Sequence, residues 1–459
     1  MKMSKYLLIL LFFYCSIVGA QNEYKSLIND SLAREIVKSV LTEKKGYSYL
    51  KELCKLGPRL SGSENSLKAI YWAKDKMENL GFDSVWLQPV MVPHWVRGNV
   101  EKVTVSKSKF FKNRNLAVTA LGGSIGTDRK GITAKVIEVG SYLELKNIGN
   151  RVKGKIVFIN HHFNEENLDP FRSYGEAGGE RFNGPKECSK YGAVAAIVRS
   201  LTANYDNVPH TGVTGKVDSL KQIPSVAIGL KDADLLSEAL KKDPNLVINM
   251  KLSCKNDNEV GSFNVIGEIK GTEKPDEIIV VGGHIDCWDV SCGAQDNGAG
   301  CMQAMETIDI FKRLNIKPKR TIRCVLFINE ENGSRGAREY ERLAEALNEK
   351  HIAAIESDRG AFTPRGFYVD SDSTMFEKIS RWLPVLEKSG IDWIKKGGSG
   401  ADVGYIKSCI AKLGYASDSQ RYFNYHHSAN DTIEAVNPRE MELGSAAIAI
   451  MALMLSNEL

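Results

Sequence analysis

The sequence predicts an α/β protein with a mixed, largely parallel sheet flanked by helices and interrupted by a β-rich insertion. From residue 255 onwards, short apolar runs alternate with amphipathic segments, a pattern typical of strands joined by helices. Between 113 and 254 the pattern changes to short β-rich runs separated by Gly, Asn and Pro. Because 459 residues exceed the size of one ordinary domain, an insertion into a larger domain is expected.

The first part of the larger domain, 21–112, begins with a predicted helix over Ser66–Leu80. Its apolar residues recur at helical spacing, and Gly81 follows where a C-terminal cap belongs. A strand is predicted next, near Ser84–Leu87. The predicted insertion, 113–254, contributes strands at Lys155–Asn160, Ala193–Arg199 and Ile223–Ile228.

The second part of the larger domain, 255–459, alternates strands with a long helix. Strands are predicted at Ile278–Val281, Thr321–Ile328 and His351–Ile355. The helix between the first two covers Asn297–Leu314 and places five apolar residues on one face, namely Met302, Met305, Ile308, Phe311 and Leu314. This order of elements predicts a sheet with parallel central strands.

The first twenty residues resemble a secretory signal peptide. Lys2 and Lys5 precede an apolar run over 6–18, and the small residues at 18–20 suit cleavage before Gln21. Lipid attachment at Cys15 is disfavoured because bulky residues precede it. We therefore expect a secreted or periplasmic protein without a membrane anchor.

Charge and cysteine content exclude several function classes. The net charge of +5 becomes +3 once the two signal-peptide lysines are removed, which is too small to indicate binding to nucleic acid or an anionic membrane. Eight cysteines remain after Cys15, an even number that permits disulfides, with Cys287 and Cys292 near each other in sequence. Buried free thiols are an equally good interpretation, so pairing stays open. No CxxC pair is present, which disfavours a thiolate zinc cluster.

Polar residues that could bind a metal or catalyse a reaction lie where the predicted strands end. His284 follows one strand, Glu330 and Glu331 end a second, Asp358 ends a third, and Asp296 opens the long helix. Ligands of open α/β sheets bind beyond the carboxyl ends of the strands. These five residues are therefore expected to converge at one edge of the sheet.

The residue types favour zinc. Imidazole and carboxylate are the ligands of catalytic zinc sites, and two ions close together require a bridging carboxylate. Asp296 suits the bridge because neighbouring glycines permit close approach and a helix N-terminus favours an anion. Adjacent glutamates diverge at a strand end, so one can bind metal while the other acts as a base. A further imidazole comes from His426 or His427.

Five motifs together resemble the co-catalytic di-zinc exopeptidases, the family that includes plasma glutamate carboxypeptidase (carboxypeptidase Q) and bacterial leucyl aminopeptidases. They are Gly-Gly-His-Ile-Asp (282–286), Gln-Asp-Asn-Gly-Ala-Gly (295–300), Asn-Glu-Glu-Asn-Gly (329–333), Glu-Ser-Asp (356–358) and His-Ser-Ala-Asn-Asp-Thr (427–432). Gly-Pro-Arg-Leu-Ser-Gly (57–62) also resembles that family's opening segment, and the insertion is similar to a protease-associated domain. The resemblance covers nearly the whole chain after the signal peptide.

The resemblance implies two Zn²⁺ per chain. Asp296 would bridge them, Glu331 and His427 would complete one site, and His284 and Asp358 would complete the other. Two further residues would assist: Glu330 as the general base and Asp286 as the carboxylate that orients the imidazole of His284. It also implies a cis peptide after Asp296, and homodimerisation.

The expected function is hydrolysis of terminal peptide bonds in short peptides or dipeptides by zinc-activated water. Asn297 and the glycine-rich segment 397–403 depart from the aminopeptidases of the group and leave specificity open. Asp402 is a candidate partner for a substrate ammonium, and Arg359 or Arg365 for a carboxylate, although ordinary salt bridges explain such charges equally well. Two alternatives remain: an acyl transferase of the glutaminyl cyclase type with one zinc, and a non-catalytic receptor that has kept the scaffold.

Overall fold

The computed structural model describes residues 29–111, 113–216 and 219–459. The predicted signal peptide, 1–20, lies outside this range. Among the described residues, none of the helices combines the length and the apolar composition needed to cross a bilayer. The eight cysteines from Cys54 to Cys409 are free thiols, so Cys287 and Cys292 are not joined.

Helices and strands occur throughout the described chain. The strands are β1 (Ser84–Val96), β2 (Glu101–Lys107), β3 (Arg114–Leu116), β4 (Val118–Ala120), β5 (Ile132–Val139), β6 (Ile156–Ile159), β7 (Ala195–Arg199), β8 (Ser225–Ile228), β9 (Val247–Leu252), β10 (Lys255–Ile269), β11 (Lys274–His284), β12 (Arg320–Phe327), β13 (Lys350–Ser357), β14 (Pro364–Asp370), β15 (Trp393–Lys396) and β16 (Ala411–Ser417). The helices are α1, with described residues 29–43, α2 (Lys45–Cys54), α3 (Glu64–Asn79), α4 (Leu145–Ile148), α5 (Pro170–Phe182), α6 (Gly184–Lys190), α7 (Leu230–Lys242), α8 (Ala299–Arg313), α9 (Arg335–Ala346), α10 (Ser373–Ser380), α11 (Leu383–Leu386) and α12 (Pro438–Glu458).

The first sheet has eight strands in the order β1-β10-β12-β11-β13-β16-β14-β15. Strands β12, β11, β13 and β16 are mutually parallel, whereas β10 pairs with β12, and β14 with β16, in the antiparallel sense. Every residue of β12 is buried, as expected for a parallel strand covered on both faces. The predicted mixed, largely parallel sheet is confirmed.

Helices cover both faces of this sheet. The long helix α8 is buried from Ala299 to Phe311 and contributes to the same apolar core as α12. Helix α12 begins after Asn437, whose side chain accepts hydrogen bonds from the backbone amides of the first turn. Because α8 is buried on nearly all sides, including at the polar residues Gln303, Glu306 and Asp309, it lies inside the domain rather than on its surface.

Two predicted boundaries differ for local reasons. Helix α3 begins at Glu64, two residues before the prediction, because the hydroxyl of Ser63 accepts from the Ser66 amide and caps it. Helix α8 begins at Ala299 because Asp296 and Asn297 have non-helical backbone angles. Residues 294–298 therefore form a turn before α8, and this turn carries the predicted ligand Asp296.

A second sheet of eight strands has the order β3-β2-β9-β5-β6-β7-β8-β4. Strands β5 to β8 are parallel neighbours, with helices α4 to α7 between or beside them in the chain. All of these strands except β2 lie within the predicted insertion, 113–254, and β2 pairs with β3 and β9. The predicted β-rich insertion therefore also contains helices. Its assignment to the protease-associated class stays a prediction.

Candidate metal centre

The carboxyl ends of three parallel strands bring the predicted residues together. Strand β11 ends at His284, β12 is followed by Glu330 and Glu331, and β13 is followed by Asp358. Asp296 lies in the turn before α8, and His427 lies in a loop that precedes α12. The predicted convergence at one edge of the sheet is therefore what the structure shows.

Asp296 lies between two imidazoles. Its Oδ1 atom is 3.3 Å from Nε2 of His284, and its Oδ2 atom is 3.2 Å from Nε2 of His427. Each imidazole has a second carboxylate beside it: Asp358 Oδ1 is 3.2 Å from His284 Nε2, and Glu331 Oε2 is 3.0 Å from His427 Nε2. The five side chains thus form two groups that share Asp296.

This arrangement fits metal ions. Two donor atoms about 2.0–2.1 Å from one tetrahedral zinc ion are roughly 3.3 Å apart, which matches the distances between these side chains. Within the described chain, the buried atoms Asp296 Oδ2 and Glu331 Oε1 have no hydrogen-bond donor. Buried carboxylate oxygens without a donor are expected where a cation completes the site.

Two neighbouring histidines compete for the last position. Nε2 of His426 is 3.5 Å from Asp296 Oδ2, so Asp296, His426 and His427 also form a group of metal-ligating side chains. The His426 ring stacks on that of His427 with centroids 3.6 Å apart. His427 contacts both Asp296 and Glu331, whereas His426, among the described residues, contacts only the carboxylate of Asp296. The geometry therefore favours His427, the predicted residue.

The charges of the centre are strongly coupled. Burial opposes protonation of His284, but the carboxylates of Asp358 and Asp296 outweigh it and hold its pKa well above the ordinary value. Burial raises the pKa of Asp296, yet the two imidazoles outweigh burial and hold this pKa well below its usual range. Because a histidine binds metal through an unprotonated nitrogen, a cation and a proton would compete for these imidazoles.

Glu330 faces the cavity. Its side chain is 23% exposed, against 2% for that of Glu331, and its Oε2 atom is 3.9 Å from His284 Nε2. Burial raises the pKa of Glu330 well above its ordinary value, and the charge of Asp358 adds to this effect while that of His284 opposes it. The two glutamates thus point to different places, as predicted for a base beside a ligand.

Asp286 is placed differently from the expected contact with His284. Nδ1 of His284 is 3.0 Å from the backbone carbonyl of Asp286 and 3.9 Å from its carboxylate. Oδ1 of Asp286 instead accepts the backbone amides of Asn329, at 2.8 Å, and Glu330, at 3.2 Å. The carboxylate therefore positions the backbone that carries Glu330, while its carbonyl orients the imidazole.

Two residues that sequence reasoning did not single out hold the loop around Asp296. The carboxylate of Asp431 accepts the amides of Gln295, at 2.7 Å, and Asp296, at 3.1 Å. The fully buried Arg59 donates to carbonyls of the same loop, including that of Gly293 at 3.0 Å. Both belong to motifs noted in the sequence, 427–432 and 57–62, which were the available signal. The Asp296–Asn297 peptide is cis, as the resemblance implied.

The segment 113–254 carries the second sheet apart from β2 and is called the second sheet's segment. It also contacts the candidate metal centre. Nδ1 of His427 is 3.3 Å from the carbonyl of Thr211, and the Thr211 amide donates to the His427 carbonyl at 2.8 Å. Nδ1 of His210 is 2.7 Å from the His426 carbonyl. No local sequence pattern indicated His210 or Thr211, because these contacts join residues 216 positions apart.

A cavity of about 270 Å³ opens over the centre. One wall is formed by the predicted metal ligands and Glu330; the other includes Phe171, Tyr174, Arg181 and Val213 from the second sheet's segment. Tyr422 and Phe423 complete an aromatic lining. The cavity has room for a small ligand beside the metal centre.

The other charged residues considered for substrate binding lie elsewhere. Asp402 is fully buried, so its carboxylate cannot meet a substrate ammonium in this conformation. Arg365 pairs with Asp418 at 3.0 Å, which is the ordinary salt bridge that was the alternative. Arg359 lies over the rings of Phe171, at 4.2 Å, and Tyr368, at 5.0 Å.

Comparison with known proteins identifies the family. The model of peptidase family M28 matches residues 264–451. Carboxypeptidase Q of Bos taurus is 32% identical over 88% of this chain and 83% of its own length. The crystal structure of a peptidase M28 precursor from Shewanella amazonensis superimposes with a TM-score of 0.89 at 34% identity, covering 94% of this chain and 97% of that one. A zinc aminopeptidase of Bacillus subtilis shares the fold, with a TM-score of 0.64 and 23% identity over 88% of this chain and 93% of that one. The resemblance inferred from the motifs is confirmed, and the chain belongs to peptidase family M28.

Proposed function

We propose that this chain is an exported metallo-exopeptidase that hydrolyses terminal peptide bonds of short peptides or dipeptides with two zinc ions. The ligands are the five side chains of the centre: His284, Asp296, Glu331, Asp358 and His427. The observation that carries the proposal is the position of Asp296 between His284 and His427, each with its own second carboxylate. Relatives named carboxypeptidase Q and aminopeptidase support an exopeptidase activity.

Glu330 is the proposed general base. When bound, the two ions would polarise the scissile carbonyl and make the attacking water more acidic. Glu330 would take the proton of that water on its carboxylate and pass it to the nitrogen of the leaving amine. The position of Glu330 supports this role, because its side chain lines the cavity beside the proposed ligands, with Oε2 3.9 Å from His284 Nε2.

The shape of the cavity supports short substrates. Its volume of about 270 Å³ and the wall formed by Phe171 and Tyr174 leave little space for a long chain beyond the metal centre. The proposed export rests on the signal-like segment 1–20. Two residues of the second sheet's segment, His210 and Thr211, contact the histidine pair, so this segment would also support the ligands.

The test is hydrolysis by the purified mature protein. Free dipeptides and a tripeptide of three different residues would be incubated with and without a chelator, and the first amino acid released would be identified. We expect hydrolysis that the chelator abolishes and zinc restores, with two zinc ions per chain by elemental analysis. One ion per chain together with cyclisation of an N-terminal glutamine would favour the glutaminyl cyclase alternative. Absence of any zinc-dependent reaction would favour the receptor alternative.

A further inference from the structure

Two thiols from distant parts of the chain meet beside the turn that carries Asp296. Cys54 is the last residue of α2, and Cys292 lies two residues before the turn. Their side chains are hydrogen-bonded, with the S–H of Cys54 donating to the sulfur of Cys292. Both side chains pack, partly buried, against the apolar core that contains α8 and α12. The fold therefore places a pair of thiols in contact that sequence spacing does not bring together.

This pair is accessible from solvent. Of the eight cysteines after the predicted signal peptide, Cys54, Cys292 and Cys409 are partly exposed, and the other five are buried. Cys409 directs its thiol to the carbonyl of Ala411 at 3.2 Å. Cys287, the cysteine nearest to Cys292 in sequence, is fully buried. Among these eight cysteines, only Cys54 and Cys292 thus combine exposure to reagents with a thiol as hydrogen-bond partner.

The surroundings favour the thiolate form of Cys292. The fully buried Arg59 donates to the backbone carbonyl of Cys292, which brings a positive charge close to the sulfur. The hydrogen bond from Cys54, the charge of Arg59 and the backbone amide of Ile433 together outweigh burial and lower the pKa of Cys292 from 9.0 to about 7. The same hydrogen bond, together with burial, raises the pKa of Cys54. One thiol of the pair is therefore nucleophilic near neutral pH, while the other keeps its proton until the first has reacted.

We propose that Cys54 and Cys292 form a redox-active dithiol, which a small disulfide such as oxidised glutathione converts into a disulfide bond joining α2 to the turn that carries Asp296. The inference does not depend on the peptidase activity. The proposed export would bring the chain into an oxidising compartment, where such a bond forms and persists.

The reaction consists of two exchange steps. The thiolate of Cys292 attacks one sulfur of the small disulfide, forms a mixed disulfide with it and releases the other half as a thiolate. Cys54 then loses its proton and attacks the sulfur of Cys292, which releases the second half. Two cysteine thiols are oxidised and one small disulfide is reduced to two thiols, which take up the protons that the cysteines lose.

The bond would join distant parts of the chain. The whole second sheet and helices α3 to α7 lie between Cys54 and Cys292 in sequence. A cross-link between residues this far apart restricts the unfolded chain and thereby stabilises the folded state. It would also add a covalent link to the hydrogen bonds that Arg59 donates to the carbonyls of Cys292 and Gly293 just before the turn of Asp296.

The first measurement identifies which cysteines of the purified mature protein react. The native protein would be alkylated with iodoacetamide before and after equilibration with oxidised glutathione, and its peptides would be mapped by mass spectrometry. We expect alkylation of Cys54, Cys292 and Cys409 in the reduced protein and of Cys409 alone after oxidation, with a peptide pair linked through Cys54 and Cys292. Unchanged alkylation, or a link between Cys287 and Cys292 instead, would overturn the proposal.

Substitutions separate the two steps of the reaction. In Cys54→Ser, Cys292 should retain bound glutathione, because no second thiol resolves the mixed disulfide. In Cys292→Ser, Cys54 should stay unmodified under the same conditions, since its raised pKa leaves little thiolate. The reverse pattern, with glutathione on Cys54 and none on Cys292, would contradict the assigned roles. The peptide map of the wild-type protein decides whether the bond forms even where a serine variant does not fold.

Thermal melting tests the structural consequence. The oxidised wild-type protein should melt on the order of 5 °C above its reduced form, and either serine substitution should abolish this difference. The matched control is Cys409→Ser, which removes the third partly exposed thiol and should keep both the link and the difference in melting temperature. A difference that persists in Cys292→Ser would show that another oxidation stabilises the protein and would overturn the assignment.

Discussion

The imidazole of His427 lies 3.3 Å, at Nδ1, from the backbone carbonyl of Thr211, and the two residues are also joined by a backbone hydrogen bond of 2.8 Å. A carbonyl that accepts the second N–H of a ligating histidine fixes its tautomer and orientation. The segment that carries the second sheet therefore contacts a candidate metal ligand and also forms part of the cavity wall.

Breaking the backbone hydrogen bond between Thr211 and His427 should weaken zinc binding. Thr211→Pro removes the N–H that donates to the His427 carbonyl, and should lower zinc affinity about 10- to 100-fold, the usual effect of losing such a supporting contact. Competition with a fluorescent chelator measures it. The matched control is Thr211→Val, which keeps both backbone groups and loses only the hydroxyl bond to the Ala120 carbonyl. Equal zinc affinity in the proline variant would show that the contact is incidental.

The two adjacent glutamates should separate chemistry from metal binding. Glu330→Ala is expected to retain zinc and lose about two to four powers of ten in kcat, the contribution of a general base. Glu331→Gln should instead lower the zinc content, since Glu331 lies 3.0 Å from His427 at the centre. Elemental analysis and steady-state kinetics on the same samples measure both effects. Unimpaired turnover in the Glu330 variant would refute its assignment as the base.

Removal of Arg59 should destabilise the protein and its metal loop together. Its guanidinium donates to the carbonyls of Ile285, Cys292 and Gly293, and all three would lose a charged donor in a buried place. Arg59→Met should therefore lower the free energy of unfolding by about 3–5 kcal/mol, measured by urea denaturation. Arg365→Met, which breaks only exposed salt bridges, should cost less than about 1 kcal/mol. Similar losses of unfolding free energy in both variants would contradict the proposed role of Arg59 in holding these three carbonyls.

A buried pair of carboxyl groups should make stability depend on pH. Glu306 on α8 and Glu442 on α12 are fully buried, with the Arg313 guanidinium 3.4 Å from Glu306. Burial raises the pKa of Glu442 from its ordinary 4.5 to about 7, and burial with the charge of Glu442 raises that of Glu306. The folded state holds the proton of Glu442 more tightly than the unfolded state does. The resulting contribution to the free energy of unfolding is therefore fully present below pH 4.5 and is lost as the pH rises through about 7.

Glu442→Gln should weaken this dependence, because Glu306 remains buried in the variant. The amide oxygen can still accept the Tyr47 backbone N–H, which donates to Glu442 at 2.9 Å. The variant should therefore gain up to roughly 3 kcal/mol relative to the wild type at pH 8 and little at pH 4.5. Urea denaturation at both pH values measures the difference, with the exposed Glu35→Gln as a control. A constant difference across pH would mean that Glu442 does not titrate in this range.

Much of the candidate metal centre could be predicted from sequence because its candidate ligands lie at or after the ends of strands that are apolar and regular. His284 ends one such strand, Asp358 directly follows another, and Glu331 lies four residues beyond a third. The carboxyl ends of parallel strands meet at one edge of a sheet whatever the conformation of the loops. The side chains of Glu330 and Glu331 point to different places for an equally local reason, because adjacent residues diverge at the end of a strand. The family resemblance then indicated His427 over His426, a choice that the contact with Glu331 supports.

Only the tertiary structure decided the remaining features, because they depend on side-chain direction and on contacts across long stretches of chain. The carboxylate of Asp286 turned towards backbone amides rather than towards His284, which spacing alone cannot show. Thr211 and Arg181 reach the centre from the second sheet's segment, where no periodic pattern marks them. The sequence by itself therefore determined the family and the sheet and indicated five candidate ligands, while packing of the second sheet's segment against the candidate metal centre determined the shape and charge of the cavity.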